Sequence, residues 1–184
     1  MTGIKQKAFW IAVGDFGGRG FAFLTSIYLA RTLGAEFYGL ITMAVAILGY
    51  ATWFADLGLI TIGVREIAKP PAEREFKARE IFNLKVALGA LVMLLSTFLV
   101  NIIPIEPFQQ KVILGYLYSI VPYTLLMEWY FNGTQEFGKV AFSRIVNNAL
   151  YFSLVFFLIQ NSADVFMVPI LYTIGVVAAV LVLA

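Results

Sequence analysis

An acidic and a basic residue lie one helical turn apart inside the first long apolar stretch of the chain. Asp15 and Arg19 belong to the sequence GDFGGRG. At the centre of a membrane-spanning helix, each such charge costs roughly 2.5–3.5 kcal/mol on insertion scales. A spacing of four residues puts both side chains on one helix face, so we expect an ion pair that reduces this cost. The pair either neutralises itself in a packed core or faces a water-filled cavity.

A stripe of small and polar residues continues along the same face of this predicted helix. Its members recur at spacings of three and four, the repeat of one helix face: Ala8, Ala12, Asp15, Arg19, Ala22 and Ser26. Alanine and serine leave space beside the charges, whereas a packed core more often has leucine or valine there. We therefore expect Asp15, Arg19 and Ser26 to line a hydrated cavity. Gly14 and Gly18 form a G-x-x-x-G step, which permits another helix to approach closely.

Polar side chains also interrupt three later apolar stretches. The second stretch carries Trp53 and Asp56, the fourth Tyr123 and Glu128, and the fifth Arg144, Asn147, Asn148 and Tyr151. Each set falls on one side of its predicted helix, and we expect it to line the same cavity. Arg144 has an alternative role, since a long side chain near a helix end can extend to the head groups. Pro122 cannot donate a backbone hydrogen bond, so it is expected to leave the Tyr118 carbonyl free.

Six long apolar stretches must position these residues. They run over residues 8–31, 38–63, 82–103, 110–131, 140–160 and 164–184, each with the roughly 20 residues that a membrane-crossing helix needs. The chain is 61% hydrophobic and 13% charged, whereas soluble domains are about half apolar and a quarter charged. The sequence therefore predicts an all-α integral membrane protein. Helices one, two, four and five are expected to surround a polar cavity, with the more apolar helices three and six towards lipid.

The composition excludes several kinds of site. The 184 residues include no cysteine and no histidine, so thiol chemistry, histidine metal ligands and histidine-based nucleophile pairs are absent. A net charge of +2 gives no reason to expect nucleic acid as a partner. In residues 71–80 the glutamates are spaced for ion pairs along a short helix, Glu73 with Lys77 and Glu75 with Arg79. No enzymatic activity, metal or cofactor is predicted.

Lysine and arginine are distributed unevenly between the two ends of the predicted helices. One side holds Lys5, Lys7, Arg65, Lys69, Arg74, Lys77, Arg79, Lys85, Lys139 and Arg144, and the other holds Arg31 and Lys111. Short loops rich in these residues stay in the cytoplasm. The N-terminus, the second loop and the fourth loop are therefore predicted to be cytoplasmic.

Three stretches of the sequence carry a family resemblance. They are LARTLGAEFYGLITMAVAILGYATWFADLGL (29–59), IGVREIAK (62–69) and MEWYFNGTQEFGKVAFSRIVNNALYFSLVFFLIQNSADVFMVPIL (127–171). The first two resemble the first helix pair, and the motif after it, of oligosaccharide flippases of the Wzx type. The third resembles the fourth loop and fifth helix of these proteins, which belong to the multidrug/oligosaccharidyl-lipid/polysaccharide exporter superfamily. These motifs are structural, and none is a catalytic signature.

The resemblance implies an architecture, a substrate and partners. Such flippases have twelve or fourteen helices in two lobes, so residues 1–184 are expected to form only the N-terminal, six-helix lobe of a longer protein. The implied substrate is an oligosaccharide repeat unit on undecaprenyl pyrophosphate, flipped across the bacterial inner membrane by alternating access for surface polysaccharide synthesis. Polysaccharide polymerase and chain-length proteins are the implied protein partners. Arg19 would supply positive charge for a pyrophosphate or an acidic sugar.

Two other functions are open at this point. A MATE-like, cation-coupled exporter of small molecules would need a titrating acid in the cavity, and Asp15 or Asp56 could serve. Coupling to H⁺ or Na⁺ is equally open for a flippase. A membrane-embedded polysaccharide enzyme would need clustered carboxylates or a general base on a loop, which the sequence does not offer. The flippase interpretation is therefore favoured over both.

The predicted orientation is testable because single cysteines can be introduced into a cysteine-free chain. We expect residues 71–80 to be cytoplasmic and residues 104–109 to be periplasmic, because of the lysine and arginine bias. In intact cells, an impermeant maleimide should label Gln109→Cys and spare Glu75→Cys until the membrane is opened. Labelling of position 75 from outside would reverse the orientation.

Overall fold

In the computed structural model, which describes residues 2–69 and 74–184, the regular secondary structure is entirely helical. The helices are α1 (Thr2–Asp56), α2 (Leu59–Ile67), α3 (Arg74–Ile102), α4 (Pro107–Leu117), α5 (Ile120–Thr124), α6 (Glu128–Gly133), α7 (Phe137–Leu158), a 3₁₀ helix (Ser162–Met167) and α8 (Val168–Leu183). Within the described residues, the stretches apolar and long enough to cross a membrane are Lys5–Asp56, Arg74–Ile102, Phe137–Leu158 and Ser162–Leu183. The predicted class, an all-α integral membrane protein, is confirmed.

Helix α1 is broken at Gly34 into an N-terminal arm (2–33) and a C-terminal arm (35–56). Gly34 has φ 82° and ψ 171°, a backbone conformation open to glycine because it lacks a Cβ. The hydroxyls of Ser26 and Tyr38 hydrogen bond across the break, although they are 12 residues apart. That separation would be about 18 Å on a straight helix. The two arms therefore fold back on each other as a helical hairpin, in the region of the first two predicted spans.

The second predicted span, 38–63, does not continue as one helix. Leu57 and Gly58 both have positive φ, and α2 starts afresh at Leu59. The Asp56 carboxylate accepts the backbone N–H of Gly58 at 3.2 Å and of Ile60 at 3.0 Å. These bonds satisfy N–H groups that lack a partner at a helix start, so Asp56 supports the turn into α2.

The fourth predicted span, 110–131, is divided between α4, α5 and α6. Pro122 has no N–H, but the Tyr118 carbonyl is not left free: the Val121 N–H reaches it at 3.3 Å. The Ser119 hydroxyl donates to the Tyr116 carbonyl at the same break. The expectation of a free Tyr118 carbonyl was wrong because the chain tightens into a three-residue turn. Such breaks persist in membranes where other protein groups satisfy the backbone.

Helix α8 has one buried face and one exposed face. Of the four apolar stretches, Ser162–Leu183 has the largest buried share in its most apolar segment, 39% against 17–22% for the others. It packs along α7, α4 and α5, and Tyr172 points to the interior cluster around Tyr116. The other face exposes Ile170, Ile174, Val177 and Leu181. The expectation that helix six lies towards lipid therefore holds for one face only, since apolarity alone does not show which face of a helix is buried.

Helix α3 agrees better with its prediction. Leu91, Leu94, Leu95 and Phe98 are exposed along it. Its first turns hold the predicted Glu75–Arg79 pair, whose charged atoms are 3.9 Å apart and well exposed, so the pair adds little stability. Glu73, and with it the predicted Glu73–Lys77 pair, lies outside the described residues.

The N-terminal arm of α1 meets α7 through its glycines. A Cβ built on Gly14 would lie 2.8 Å from the Ala141 Cα, and one on Gly18 would lie 3.3 Å from Asn148 Nδ2. The close approach predicted from the G-x-x-x-G step is confirmed. It brings the polar residues of α7 next to those of α1.

Gly14→Ala should destabilise the protein by roughly 1–3 kcal/mol, because the added methyl group meets the α7 backbone. Gly20→Ala on the same arm is the matched control, since nothing lies within 4 Å of its Cβ position. Alanine there should be neutral or stabilising by up to about 1 kcal/mol through its higher helix propensity. Unfolding in detergent, followed by circular dichroism, measures both. Equal stability of the two variants would disprove the tight α1–α7 contact.

Candidate functional site

Arg144 on α7 is held between two carboxylates from other helices. Its Nη1 contacts Asp15 Oδ1 of α1 at 2.7 Å, and its Nη2 contacts Glu128 Oε2 of α6 at 2.8 Å. Its Nε donates to both Glu128 oxygens, at 3.1 and 3.3 Å. Planar guanidinium groups suit such forked contacts. This arrangement, the Arg144 bridge, joins three helices through charge-assisted hydrogen bonds.

The Arg144 bridge overturns one prediction. Asp15 contacts Arg144 and not Arg19, because α7 packs against the glycine face of α1. For Arg144, where extension to the head groups was the alternative, both ends of the guanidinium bind carboxylates of the protein. Arg19 is exposed, and no hydrogen bond or ion pair reaches it from residues 2–69 or 74–184. It is therefore a cation without a partner in this part of the chain.

A more deeply buried cation lies next to the Arg144 bridge. Lys85 of α3 is 3% exposed and donates to the Leu126 carbonyl at 3.0 Å, at the break between α5 and α6. Its Nζ lies 5.9 Å from the centre of the Tyr123 ring, and the carboxylates of Asp56 and Glu128 act on it electrostatically. The sequence analysis missed this role because Lys85 lies close to a helix end, where a lysine usually marks the membrane surface.

Uncharged polar residues form a separate cleft. We call it the tyrosine cleft; it has a volume of about 270 Å³. Its lining comes from both arms of α1 and from α4, α7 and α8: Ala22, Thr25, Ser26, Leu29, Tyr38, Ile41, Thr42, Val45, Tyr116, Asn148, Tyr151 and Tyr172. None of these side chains is charged. The structure thus brings the predicted residues Ser26, Asn148 and Tyr151 together.

The remaining predicted residues do not share this cleft. Tyr123 and Glu128 belong to the region of Lys85 and Arg144, and Asp56 supports the start of α2. Trp53 is 69% exposed on the outer surface. Asn147 packs against Gly175 of α8, where a Cβ would lie 2.7 Å from its Oδ1. The single predicted cavity is therefore two features, a charged region and an uncharged cleft.

Two tyrosines of the cleft, Tyr38 and Tyr172, lie at positions where the sequence shows no polar stripe. Tyr172 belongs to the sixth stretch, which was expected to face lipid. Tyr116 belongs to the polar fourth stretch but was not among the residues predicted to line the cavity. A count of tyrosines across all apolar stretches is the one signal that would have suggested them, because a buried tyrosine hydroxyl usually needs a partner.

The cleft opens on an exposed face shared by the two arms of α1. Ala22 of one arm and Thr42 and Val45 of the other are exposed at its edge. Arg19 and Ala46 are exposed on the same arms. No group of three or more acidic side chains that could hold a metal ion occurs in the described ranges.

The comparisons with known proteins agree with the membrane architecture. The model of a family described as "Polysaccharide biosynthesis protein" matches residues 4–184. A protein of Escherichia coli (strain K12) named "Putative O-antigen transporter" is 22% identical over 166 residues, which are 88% of this chain and 40% of that protein. The chain thus spans less than half the length of this relative. No solved structure gives a significant match.

Arg144→Gln should destabilise the protein by roughly 1–3 kcal/mol, since it leaves two carboxylates without their cation in a partly buried site. Adding Asp15→Asn and Glu128→Gln to it should restore much of the loss, because no charge is then unpaired. Denaturant titration in detergent micelles measures both.

Lys139→Gln is the control for the Arg144 variants. Lys139, in the first turn of α7, pairs at 2.7 Å with Glu136, which lies just before that helix, and its hydrogen bond lowers the Glu136 pKa. The pair is exposed, so its loss should change stability by less than about 1 kcal/mol. If Arg144→Gln is no more destabilising than Lys139→Gln, the Arg144 bridge has no structural role.

Proposed function

The chain belongs to the polysaccharide biosynthesis protein family, and on that premise we propose that it forms one lobe of a flippase for lipid-linked oligosaccharides. The substrate is an oligosaccharide repeat unit on undecaprenyl pyrophosphate, and the membrane is the bacterial inner membrane. The observation that carries the proposal is the position of Arg19: an exposed cation without an ion pair in the described chain, next to an uncharged cleft lined by tyrosines.

Each part of this arrangement suits one part of such a substrate. A pyrophosphate attracts a guanidinium, which stays charged in a poorly solvated site and binds phosphate oxygens in pairs. Sugar rings offer apolar faces to tyrosine rings, and their hydroxyls exchange hydrogen bonds with serine, threonine, asparagine and tyrosine. Arg144 cannot take the phosphate role while Asp15 and Glu128 occupy it.

The exposed face of α1 supports a protein larger than this lobe. Arg19, Ala22, Thr42 and Ala46 are exposed in stretches that are long enough to span a membrane. A charge exposed to the lipid core is costly, so such a face usually borders water or other protein. The relative from Escherichia coli is more than twice as long as its matched part. We propose that a second lobe lies opposite this face, with the substrate path between them.

A cation-coupled exporter of small molecules is less well supported. Such a mechanism needs a carboxylate that can bind and release an ion. Asp15 and Glu128 are bound to Arg144, and the oxygens of Asp56 accept two backbone N–H groups. Each acid therefore already has a partner, whereas the cation at position 19 has none in the described residues.

The proposal predicts that Arg19→Ala, introduced into the chromosomal gene, lowers surface polysaccharide roughly tenfold or more. That is the loss expected from removing a charge-assisted contact to phosphate. Lipid-linked repeat units should accumulate in the cytoplasmic leaflet, as measured by extraction and by access to an externally added glycan-modifying enzyme. The protein should remain in the membrane at its normal level, since no carboxylate loses a partner.

Two variants control this experiment. Arg19→Lys keeps the charge and should retain part of the export. Arg31→Ala removes another exposed arginine from the same arm, away from the cleft, and should leave export unchanged. Normal surface polysaccharide in Arg19→Ala would refute the proposed role, and equal loss in Arg31→Ala would point to a general effect of charge.

A further inference from the structure

We propose that the tyrosine cleft binds the uncharged sugar ring attached directly to the substrate pyrophosphate, while Arg19 holds the phosphate beside it. This inference rests on the proposed function and divides the substrate between two named elements. It also states a selectivity: the ring next to the phosphate carries no acidic group.

The size of the cleft limits what it can hold. Sites for drug-sized ligands have volumes of about 300–1,000 Å³, and the tyrosine cleft has about 270 Å³. It therefore suits a single sugar ring with small substituents better than a whole repeat unit. The remaining sugars would lie outside the cleft, over the exposed face of α1.

The chemistry of the lining selects an uncharged ring. None of the residues that line the cleft has a charged side chain. A uronic acid would bury its carboxylate without a cation, which is strongly unfavourable. Tyr172 lies between two other tyrosines of the cleft, with ring centres 5.5 Å from those of both Tyr116 and Tyr151. These three rings are inclined to one another and form an aromatic cluster against which the apolar face of a sugar can pack.

Tyr116 is a further polar group of the cleft whose hydrogen bonding is incomplete. The residue is fully buried, and its hydroxyl makes no hydrogen bond of normal geometry with the described protein. The Tyr151 hydroxyl lies close enough to share a weaker hydrogen bond with it. Buried hydroxyls are nearly always hydrogen bonded, and a sugar hydroxyl that enters between these two tyrosines would complete the hydrogen bonding of both.

Arg19 lies at the right distance from the mouth of the cleft. Ala22, three residues further along the same helix face, is exposed and belongs to the cleft lining. Three residues correspond to about 4.5 Å along a helix. The flexible Arg19 side chain can therefore reach a phosphate attached to a ring that enters at Ala22.

The test measures sugar binding to the complete protein in lipid nanodiscs by saturation-transfer difference NMR. The probes are methyl glycosides of neutral hexoses and N-acetylhexosamines, the corresponding sugar 1-phosphates, and a methyl glucuronide. We expect at least one neutral glycoside to bind, its 1-phosphate to bind roughly tenfold more tightly through one charge-assisted contact, and the glucuronide not to bind.

Two substitutions separate the cleft from the phosphate contact. Tyr116→Phe should weaken glycoside and 1-phosphate alike, roughly three- to tenfold, while thermal stability stays equal or rises. Arg19→Ala should remove only the advantage of the 1-phosphate. Tyr118→Phe, two residues from Tyr116 but outside the cleft lining, is the matched control and should bind like the unmodified protein.

The inference is overturned if no neutral glycoside binds, if the glucuronide binds equally well, or if Tyr116→Phe leaves affinity unchanged. Should Tyr116→Phe fold poorly, Thr42→Trp at the exposed edge of the cleft replaces it and should block both ligands. Failure of the proposed function appears differently, as normal polysaccharide export by Arg19→Ala.

Discussion

Charges removed from water must find partners within the protein, and the Arg144 bridge is where this chain meets that constraint. The guanidinium of Arg144, a residue of α7, neutralises one carboxylate from α1 and one from α6. The contacts are short because the α1 and α7 backbones touch at Gly14 and Ala141. Larger side chains there would separate the helices and with them the charges. The close helix packing is therefore what allows these charges to pair.

The same requirement explains why the interrupted segment α4–α6 is tolerated. A break in a membrane helix exposes carbonyls that lipid cannot satisfy. At the break between α5 and α6, Lys85 donates a hydrogen bond to the Leu126 carbonyl. Helix α3 can come this close because Gly89 faces Thr124: a Cβ on Gly89 would lie 2.0 Å from the Thr124 Cγ2. The break in turn places Glu128 at the first position of α6. Lys85 binds the carbonyl of Leu126, and Arg144 binds the side chain of Glu128, two residues further along the chain. The two cations therefore stabilise the same short piece of backbone.

Sequence reasoning recovered what depends on local pattern and missed what depends on packing. The membrane class and the close approach at Gly14 follow from apolar length and small-residue spacing. The partner of Asp15 could not be predicted in this way. A neighbour at i, i+4 is visible in the sequence, whereas a contact with Arg144, 129 residues away, is not. Tyr172 was missed since its helix looked uniformly apolar. The neighbouring helices determine which face of an apolar helix is buried, and the periodicity of its sequence does not predict that face.

The hairpin of α1 has a consequence for how a ligand reaches the cleft. Ala22 lies on one arm and Thr42 and Val45 on the other, so the entrance is a slot between two arms that meet at Gly34. A slot that is open along its side admits the head of a molecule while a long tail attached to it stays outside. Such a molecule does not have to be threaded end-first through a pore. The two arms of the slot are joined at one glycine and by the Ser26–Tyr38 hydrogen bond, while its back wall is built from α4, α7 and α8.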